Sequence, residues 1–547
     1  MDRRSEREKD LMKTRKREKG LRDPSRRQLL QTALAAAPWV SVLDQPAFAL
    51  AAASGADMRV DDSLLNLGAR EAVTHIANGN IKAEAYAARL LKHYHANKDL
   101  NTVVSMDESR MLAEARAIDI ARDKGQKLGS LAGLPVLIKD QANVAGYPTT
   151  AGNGFMKSYI AKKNAVVVDK LVQNGAVVFA KGNCAVVIGA IQGTGATSTN
   201  PYLGFVRNPY DKAYIPGGSS GGNGAALAAR IVPAALGADA GGSVRGPSSC
   251  CGVAGLRPST YTIENFLNNT ARKRYSTEGE LPPPTLVDTF GPMARTVSDI
   301  AFLDEVITGE QARMVELKGI RIGVPRGDYW DLDVVEPEVA TITRAALEKL
   351  KAAGAELVEY DLNAILALND GGGLNAAMRR PNNDLAEWLA VNAPDIQMSD
   401  LNAYRDSYPR LVLPKSKEMS DVEKRQFVTS AMNKYQDPFR SHNLTAIAYP
   451  TLPIRPPLIN CNGDTPYQKI LIKGKWLEEH ASIAYNLTIA PALGVPALSL
   501  PCGMNQGLPV GLSLQGVAGD DAKLLGLGIS VEKVFGSIPP PKMQYSA

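Results

Sequence analysis

Residues 215–249 read "IPGGSSGGNGAALAARIVPAALGADAGGSVRGPSS". Glycine, serine and flanking proline give the stretch the look of a flexible linker. An apolar run sits between its two Gly-Ser clusters, however, and linkers seldom carry one. The first cluster, GGSSGG at 217–222, leads into NGAALAAR, a good helix start. A glycine-rich entry lets backbone N–H groups converge, and a helix N-terminus favours negative charge. IVPAALGAD follows as a short apolar strand or turn, and Gly241, Gly242 and Ser243 end it, with Arg245 just beyond. Ser243 thus follows a tight glycine turn whose backbone donors can point at one spot, as an oxyanion requires.

On either side of this stretch, helical and strand-like patterns alternate from about residue 60. Residues 63–99 have helical periodicity. LAGLPVLIKD (131–140) is a short apolar run ending in lysine, a buried strand by its length and flanks. NAVVVDKLVQNGAVVFAKGN (164–183) reads as helix, glycine turn and strand. KGIRIGVPRG (318–327), AALEKLKAAGAELVEYDL (345–362), LTAIAYPTLP (444–453) and VPALSLPCGM (495–504) continue the theme. Such alternation predicts an α/β fold with a sheet covered by helices on both faces. Residues 362–440 are more polar and read as a mostly helical peripheral layer or cap. A chain of 547 residues, 45% hydrophobic and 22% charged, has the composition of a soluble globular protein with a sizeable core.

The formal charge of +6 is confined to the head of the chain. Residues 1–30 hold 12 Lys+Arg against 6 Asp+Glu, leaving 50 of each sign in the rest. That balance argues against a nucleic-acid-binding body, which needs a basic face. In the head, Arg26 and Arg27 precede a modestly apolar stretch and then small-residue spacing at Ala47-Phe48-Ala49. This order reads as a twin-arginine signal on residues 1–54, followed by one domain over 55–547. The expectation is a periplasmic or secreted protein with no membrane segment in its mature form; a cytoplasmic protein with a basic tail is the alternative. The apolar stretch is too short, and too broken by Pro38 and Asp44, to span a bilayer.

No metal or other cofactor is expected. Cys184, Cys250, Cys251, Cys461 and Cys502 form no CxxC pair and no zinc spacing. Adjacent cysteines such as Cys250 and Cys251 mostly stay reduced or pack as small hydrophobes. The five histidines are scattered; His93 and His95 would share a face only on a strand.

A serine hydroxyl is a weak nucleophile and needs a base. No histidine lies near the Gly-Ser clusters in sequence, which turns attention to Lys139 at the end of LPVLIK. Burial in an apolar setting destabilises an ammonium, and a neutral lysine can take a proton from a hydroxyl. Ser219 could then relay between Lys139 and Ser243. On these residues alone a solvated lysine and ordinary Gly-Ser turns remain open.

The whole stretch resembles the amidase signature family, whose hallmark is a Gly-Ser-rich block of this length and layout. Further blocks agree in order: LAGLPVLIKDQANVAGYPTTAG, VRNPYDKAYIPGGSSGG, CCGVAGLRPS, DTFGPMARTVSDIAFLD and LTIAPALGVPALSLPCGMNQGLPVGLSLQG. The resemblance spans about residues 60–540 and is weakest at 362–440. It implies a large mixed sheet covered by helices on both faces, with Ser243 as nucleophile, Ser219 as bridging serine and Lys139 as base. It further implies a cis peptide bond between Gly218 and Ser219, next to Ser220. The oxyanion hole would come from the backbone N–H groups of Ala240, Gly241, Gly242 and Ser243. Asp239 and Arg245 match positions that support this loop, and a plain structural ion pair is the equal alternative.

The implied reaction is hydrolysis of a small-molecule amide through an acyl-enzyme. The YPTTAG, VRNPYD and GPMART blocks look most like bacterial hydrolases of aryl- and indole-acetamides and mandelamide, which suggests a primary or small aryl amide. Peptide amides, anilides and carbamates stay open. A glutamine-dependent amidotransferase component and an esterase share the same core. A homodimer is the assembly the reading leans to. Two departures stand out: Ala238 and Ala240 occupy positions where relatives often have threonine or serine, and a longer segment follows GLRPS, so that a loop such as 260–275 could shape the pocket mouth.

Overall fold

The computed structural model describes residues 62–185, 202–261, 274–281, 287–326, 335–361, 384–407, 420–459, 469–472, 475–478 and 485–544, all within one compact unit, Val60–Ala547. The head with its export reading lies outside the described residues, as do most of the 260–275 loop and the first part of the 362–440 segment.

Eleven strands form one sheet. In chain order they are β1 (Val103–Ser105), β2 (Pro135–Lys139), β3 (Val177–Gly182), β4 (Ala234–Ala238), β5 (Ala254–Arg257), β6 (Phe290–Ala294), β7 (Arg321–Pro325), β8 (Glu356–Tyr360) and β9 (Ala446–Pro450), followed by β12 (Ala497–Asn505) and β13 (Leu508–Gln515). A separate hairpin, β10 (Lys469–Ile472) and β11 (Lys475–Glu478), precedes the last two. The spatial order is β1-β3-β2-β4-β6-β5-β12-β13-β9-β7-β8. β2 runs parallel to β3 and β4, and β7 runs parallel to β8 and β9; the other pairs are antiparallel. Parallel neighbours need a crossover. Helix Val166–Gln173 supplies it between β2 and β3, and helix Pro337–Ala352 between β7 and β8. This is the large mixed α/β sheet that the alternation and the resemblance predict.

PVLIK becomes a central strand because both of its faces are covered, and all five residues are buried. The core around it joins Leu137, Phe179 and Leu236 to helices Ala69–Ala77, Ala83–Ala96 and Gly221–Ala228. A second cluster centres on Ile447, Leu498 and Leu512, under helices Pro337–Ala352 and Asp521–Phe535. A third, smaller cluster packs Leu389 and Leu401 of helices Asp384–Asn392 and Met398–Ser407 against Met156, Tyr159 and Leu281.

The helical reading of 63–99 resolves into two helices broken at Gly79, whose φ of +75° is ordinary only for glycine. His93 and His95 both sit on the second helix, so they point apart. His93 is buried with Nε2 2.8 Å from the Ala229 carbonyl, whereas exposed His95 meets Glu108 at 3.0 Å. Cys250 and Cys251 are buried free thiols. Among the described residues, no helix is long and apolar enough to cross a membrane, and no three His, Cys, Asp or Glu side chains cluster to hold a metal.

Candidate active site

β2 carries Lys139 to the edge of the sheet's buried interior, between β3 and β4, where it is 1% exposed. Its Nζ donates to Ser219 Oγ at 2.7 Å and to the Ala238 carbonyl at 3.2 Å. Burial pushes the amine below the ordinary lysine value, while Cys184, Asp288, Glu280 and Asp239 pull in the opposite direction. The base and its partner hydroxyl are therefore brought together across 80 positions of chain.

The peptide bond between Gly218 and Ser219 is cis. Just after it, helix Gly221–Ala228 starts, and its entry is crowded by backbone. A Cβ on Gly222 would lie 2.5 Å from the Asn183 carbonyl oxygen and 2.6 Å from that of Thr102. Only glycine lets the helix start here, with the Gly222 N–H bonded to Asn183 O at 3.0 Å. Ser220 joins the two serine clusters: its N–H donates to the Ser243 carbonyl at 3.0 Å, and its Oγ lies 3.3 Å from the Ala238 carbonyl. Half-buried Ser243 thus stands beside the Lys139–Ser219 pair, although among the described residues no hydrogen bond joins the hydroxyls of Ser219 and Ser243.

The loop that carries Ser243 is organised by Asp239. This buried carboxylate accepts from the Gly242 N–H at 2.7 Å, the Val244 N–H at 3.3 Å, and Arg245 through Nε at 3.0 Å and Nη2 at 3.2 Å. Arg257, a residue missed in the sequence, adds a contact at 3.5 Å and also donates to the Asp239 carbonyl. Burial alone would raise the Asp239 pKa, but the two guanidinium groups hold it well below the usual carboxylate range. Burial pushes Arg257 itself down to about 10. Arg245 also donates to the Leu487 carbonyl at 2.8 Å, seating that segment on the loop.

This arrangement bears on the backbone donors expected to form an oxyanion hole. An N–H carries one hydrogen, and that of Gly242 is committed to Asp239. No hydrogen bond from the N–H groups of Ala240, Gly241 or Ser243 is formed among the described residues. Gly242 serves the loop in another way. Its φ of +109° makes the turn, and a Cβ there would meet the Leu487 side chain at 2.3 Å. Asp239 and Arg245 form the ion pair offered as one alternative, and the same pair shapes the loop.

A second buried pair lies behind the lysine. Lys181 on β3 meets Asp140 at 3.1 Å, Thr149 Oγ1 at 3.0 Å and the Pro148 carbonyl at 3.0 Å. Thr150 donates to the same carboxylate from its hydroxyl and, at 3.1 Å, from its N–H. VVFAKGN carries the same signal as LPVLIK, an apolar run ending in lysine, and that signal could have found Lys181. Gln141, Glu280 and Asp288, also unremarked in the sequence, are buried close by. Glu280 belongs to the described part of the longer segment after GLRPS, which pairs with the chain just beyond β2 through an isolated bridge between Ala142 and Glu280.

A family model described as Amidase matches residues 84–525. The chain is 31% identical to a mandelamide hydrolase of Pseudomonas putida, over 81% of this chain and 86% of that one. It is also 31% identical to a glutamyl-tRNA(Gln) amidotransferase subunit of Chloroflexus aurantiacus, over 84% of this chain and 94% of the other. A crystal structure described as an amidase superposes with a TM-score of 0.69 at 28% identity, covering 86% of this chain and all (100%) of that one. Because the family match runs through the lysine strand, both serine clusters and the C-terminal strands, the chain belongs to the amidase signature family and is an amide hydrolase.

Proposed function

We propose that the protein cleaves a small carboxamide, primary or aryl-substituted, to the acid and ammonia or amine through an acyl-enzyme on Ser243. The observation that carries this reading is the 2.7 Å contact between the buried Lys139 amine and Ser219 Oγ, at the foot of the Ser243 loop. Neutral Lys139 accepts the Ser219 proton as Ser219 accepts that of Ser243. Ser243 Oγ attacks the amide carbonyl carbon. The N–H groups of Ala240, Gly241 and Ser243 hold the oxyanion. Collapse breaks the C–N bond, and the lysinium returns its proton through Ser219 to the leaving nitrogen. Water then attacks the acyl-enzyme by the same relay and releases the acid. The likeness to mandelamide hydrolase supports a small aryl amide.

A fluorophosphonate should label Ser243, mapped by peptide mass. Ser243→Ala and Lys139→Ala should each remove nearly all turnover in a hydrolysis screen over primary amides, anilides, peptide amides and esters. Ser219→Ala should leave a small remainder. Full activity in Ser243→Ala refutes the assignment. The likeness to the amidotransferase favours a second reading, in which the chain releases ammonia from glutamine for a partner. Glutaminase activity exceeding all other amidase activity would select it. The twin-arginine order of the head supports export to the periplasm or beyond.

A further inference from the structure

Two neighbouring strands each carry a buried lysine at or next to their last residue. Lys139 closes β2 and Lys181 lies one residue before the end of β3, with Lys139 level with Gly182 and Ile138 level with Lys181. Parallel neighbours in register share a face, and successive residues alternate between faces. A Cβ on Gly182 would point at Asn223 of helix Gly221–Ala228, 2.3 Å from its Oδ1, so that face looks toward the helix that begins beside Ser219. Lys139 shares this face and reaches Ser219 Oγ at 2.7 Å. Lys181 lies on the opposite face, and so does Asp140, the residue after Lys139. The two meet there at 3.1 Å, both fully buried.

The bonds of this pair are complete. The three hydrogens of the Lys181 amine go to Asp140 Oδ1, to the Pro148 carbonyl at 3.0 Å and to Thr149 Oγ1 at 3.0 Å. Asp140 Oδ2 accepts from the Thr150 hydroxyl and, at 3.1 Å, from the Thr150 N–H. The main chain of Asp140 is engaged as well. Its N–H donates to the Gly182 carbonyl at 3.0 Å, and its carbonyl accepts from the Ala151 N–H at 3.1 Å. One residue past the base, the chain is thus tied to β3 and to the 148–151 turn through both side chain and backbone. An ion pair this deep contributes little net stability over apolar groups of like volume, and its directional bonds are what distinguish it.

We propose that Asp140 and Lys181 are positioning residues for the relay, holding the end of β2 from the far face of the sheet so that the Lys139 amine stays within reach of Ser219 Oγ. This rests on the relay reading above, in which Lys139 is the base. The pair acts through the backbone at residues 139 and 140 rather than through its charge, which is balanced within the pair. Once the clamp is released, the amine drifts from the hydroxyl and takes up water. The burial that holds Lys139 below the ordinary lysine value is then relieved.

The test is the rate of fluorophosphonate inactivation of the full chain against pH, which needs no knowledge of the substrate. In the native protein the rate rises with pH as Lys139 loses its proton. Lys181→Met removes the cation and Asp140→Asn the anion, each at nearly unchanged volume. Both should move the midpoint of the rise up by about half a pH unit or more. Both should also lower the alkaline plateau about tenfold, because the amine no longer meets the hydroxyl squarely. Direction is the discriminating reading: acting by charge, loss of the cation would raise the midpoint and loss of the anion would lower it. Cys184, Asp288, Glu280 and Asp239 also act on Lys139, and they are the same in every variant. Midpoints that move in opposite directions or stay at the native value, or an undiminished plateau, overturn the proposal. The double variant strands no charge, so its melting temperature should recover toward the native value while its midpoint stays high and its plateau low. A plateau that recovers together with stability leaves the pair a structural clasp and overturns the proposal as well. Circular dichroism checks folding, and if a single variant folds poorly the double variant carries the test. Lys139→Met separates the two levels of the argument. If it is inactivated as fast as the native protein, the relay itself fails. If it is inert while the midpoints of the pair variants match the native one, only the present proposal fails.

Discussion

Asp239 shows how much one buried side chain decides. It pairs with two guanidinium groups and accepts two loop N–H groups, so Asp239→Asn removes the carboxylate that Arg245 and Arg257 both engage. Breaking a buried pair from one side costs about 3–5 kcal/mol, and thermal or denaturant unfolding should show a loss of that size at neutral pH. The sign with pH follows from the depressed folded-state value. Stability from this carboxylate is fully present above the unfolded Asp value of about 4 and fades as pH falls through the folded value. Native and variant unfolding curves should therefore stay apart from neutral pH down to about 4 and converge only in stronger acid. A constant gap at every pH would disprove the electrostatic account.

Individual elements act by close approach. The first serine cluster reaches Lys139 because helix Gly221–Ala228 begins with its backbone against two carbonyl oxygens, at Asn183 and Thr102. Gly222→Ala places a methyl group 2.5 Å from one of them, and neither is a side chain that can swing aside. Overpacking of this kind costs about 1–3 kcal/mol, read as a lowered melting temperature. The fluorophosphonate labelling rate should fall by much more than the fraction unfolded explains, because the helix start carries Ser219. Labelling that tracks stability alone would show that the helix start does not position the hydroxyl. The glycines of GGSSGG were legible as a helix entry in the sequence. Which of them must be glycine was not, since the crowding atoms come from residues some 40 and 120 positions away.

For the whole molecule, charge is divided between a basic head and a neutral body. If the head is an export signal read through its paired arginines, Arg26→Lys with Arg27→Lys should hold the full chain in the cytoplasm of a bacterium with that pathway, with catalysis intact in extracts. Unchanged recovery in the periplasm or medium would discard the signal reading.

The sequence by itself determined the alternating α/β plan, the order of its blocks and a lysine ending a buried strand. Those features are written in the period of apolar residues and in the spacing of glycine and serine along one local stretch. Tertiary structure alone decided that Lys139 meets Ser219 at 2.7 Å, that Asp239 claims the Gly242 N–H, and that Glu280 and Asp288 share Gln141. A donor has one hydrogen and a buried charge needs a partner, and both are supplied by strands distant in sequence. Which groups are engaged, and which are left to face a substrate, is therefore set only when those strands pack together.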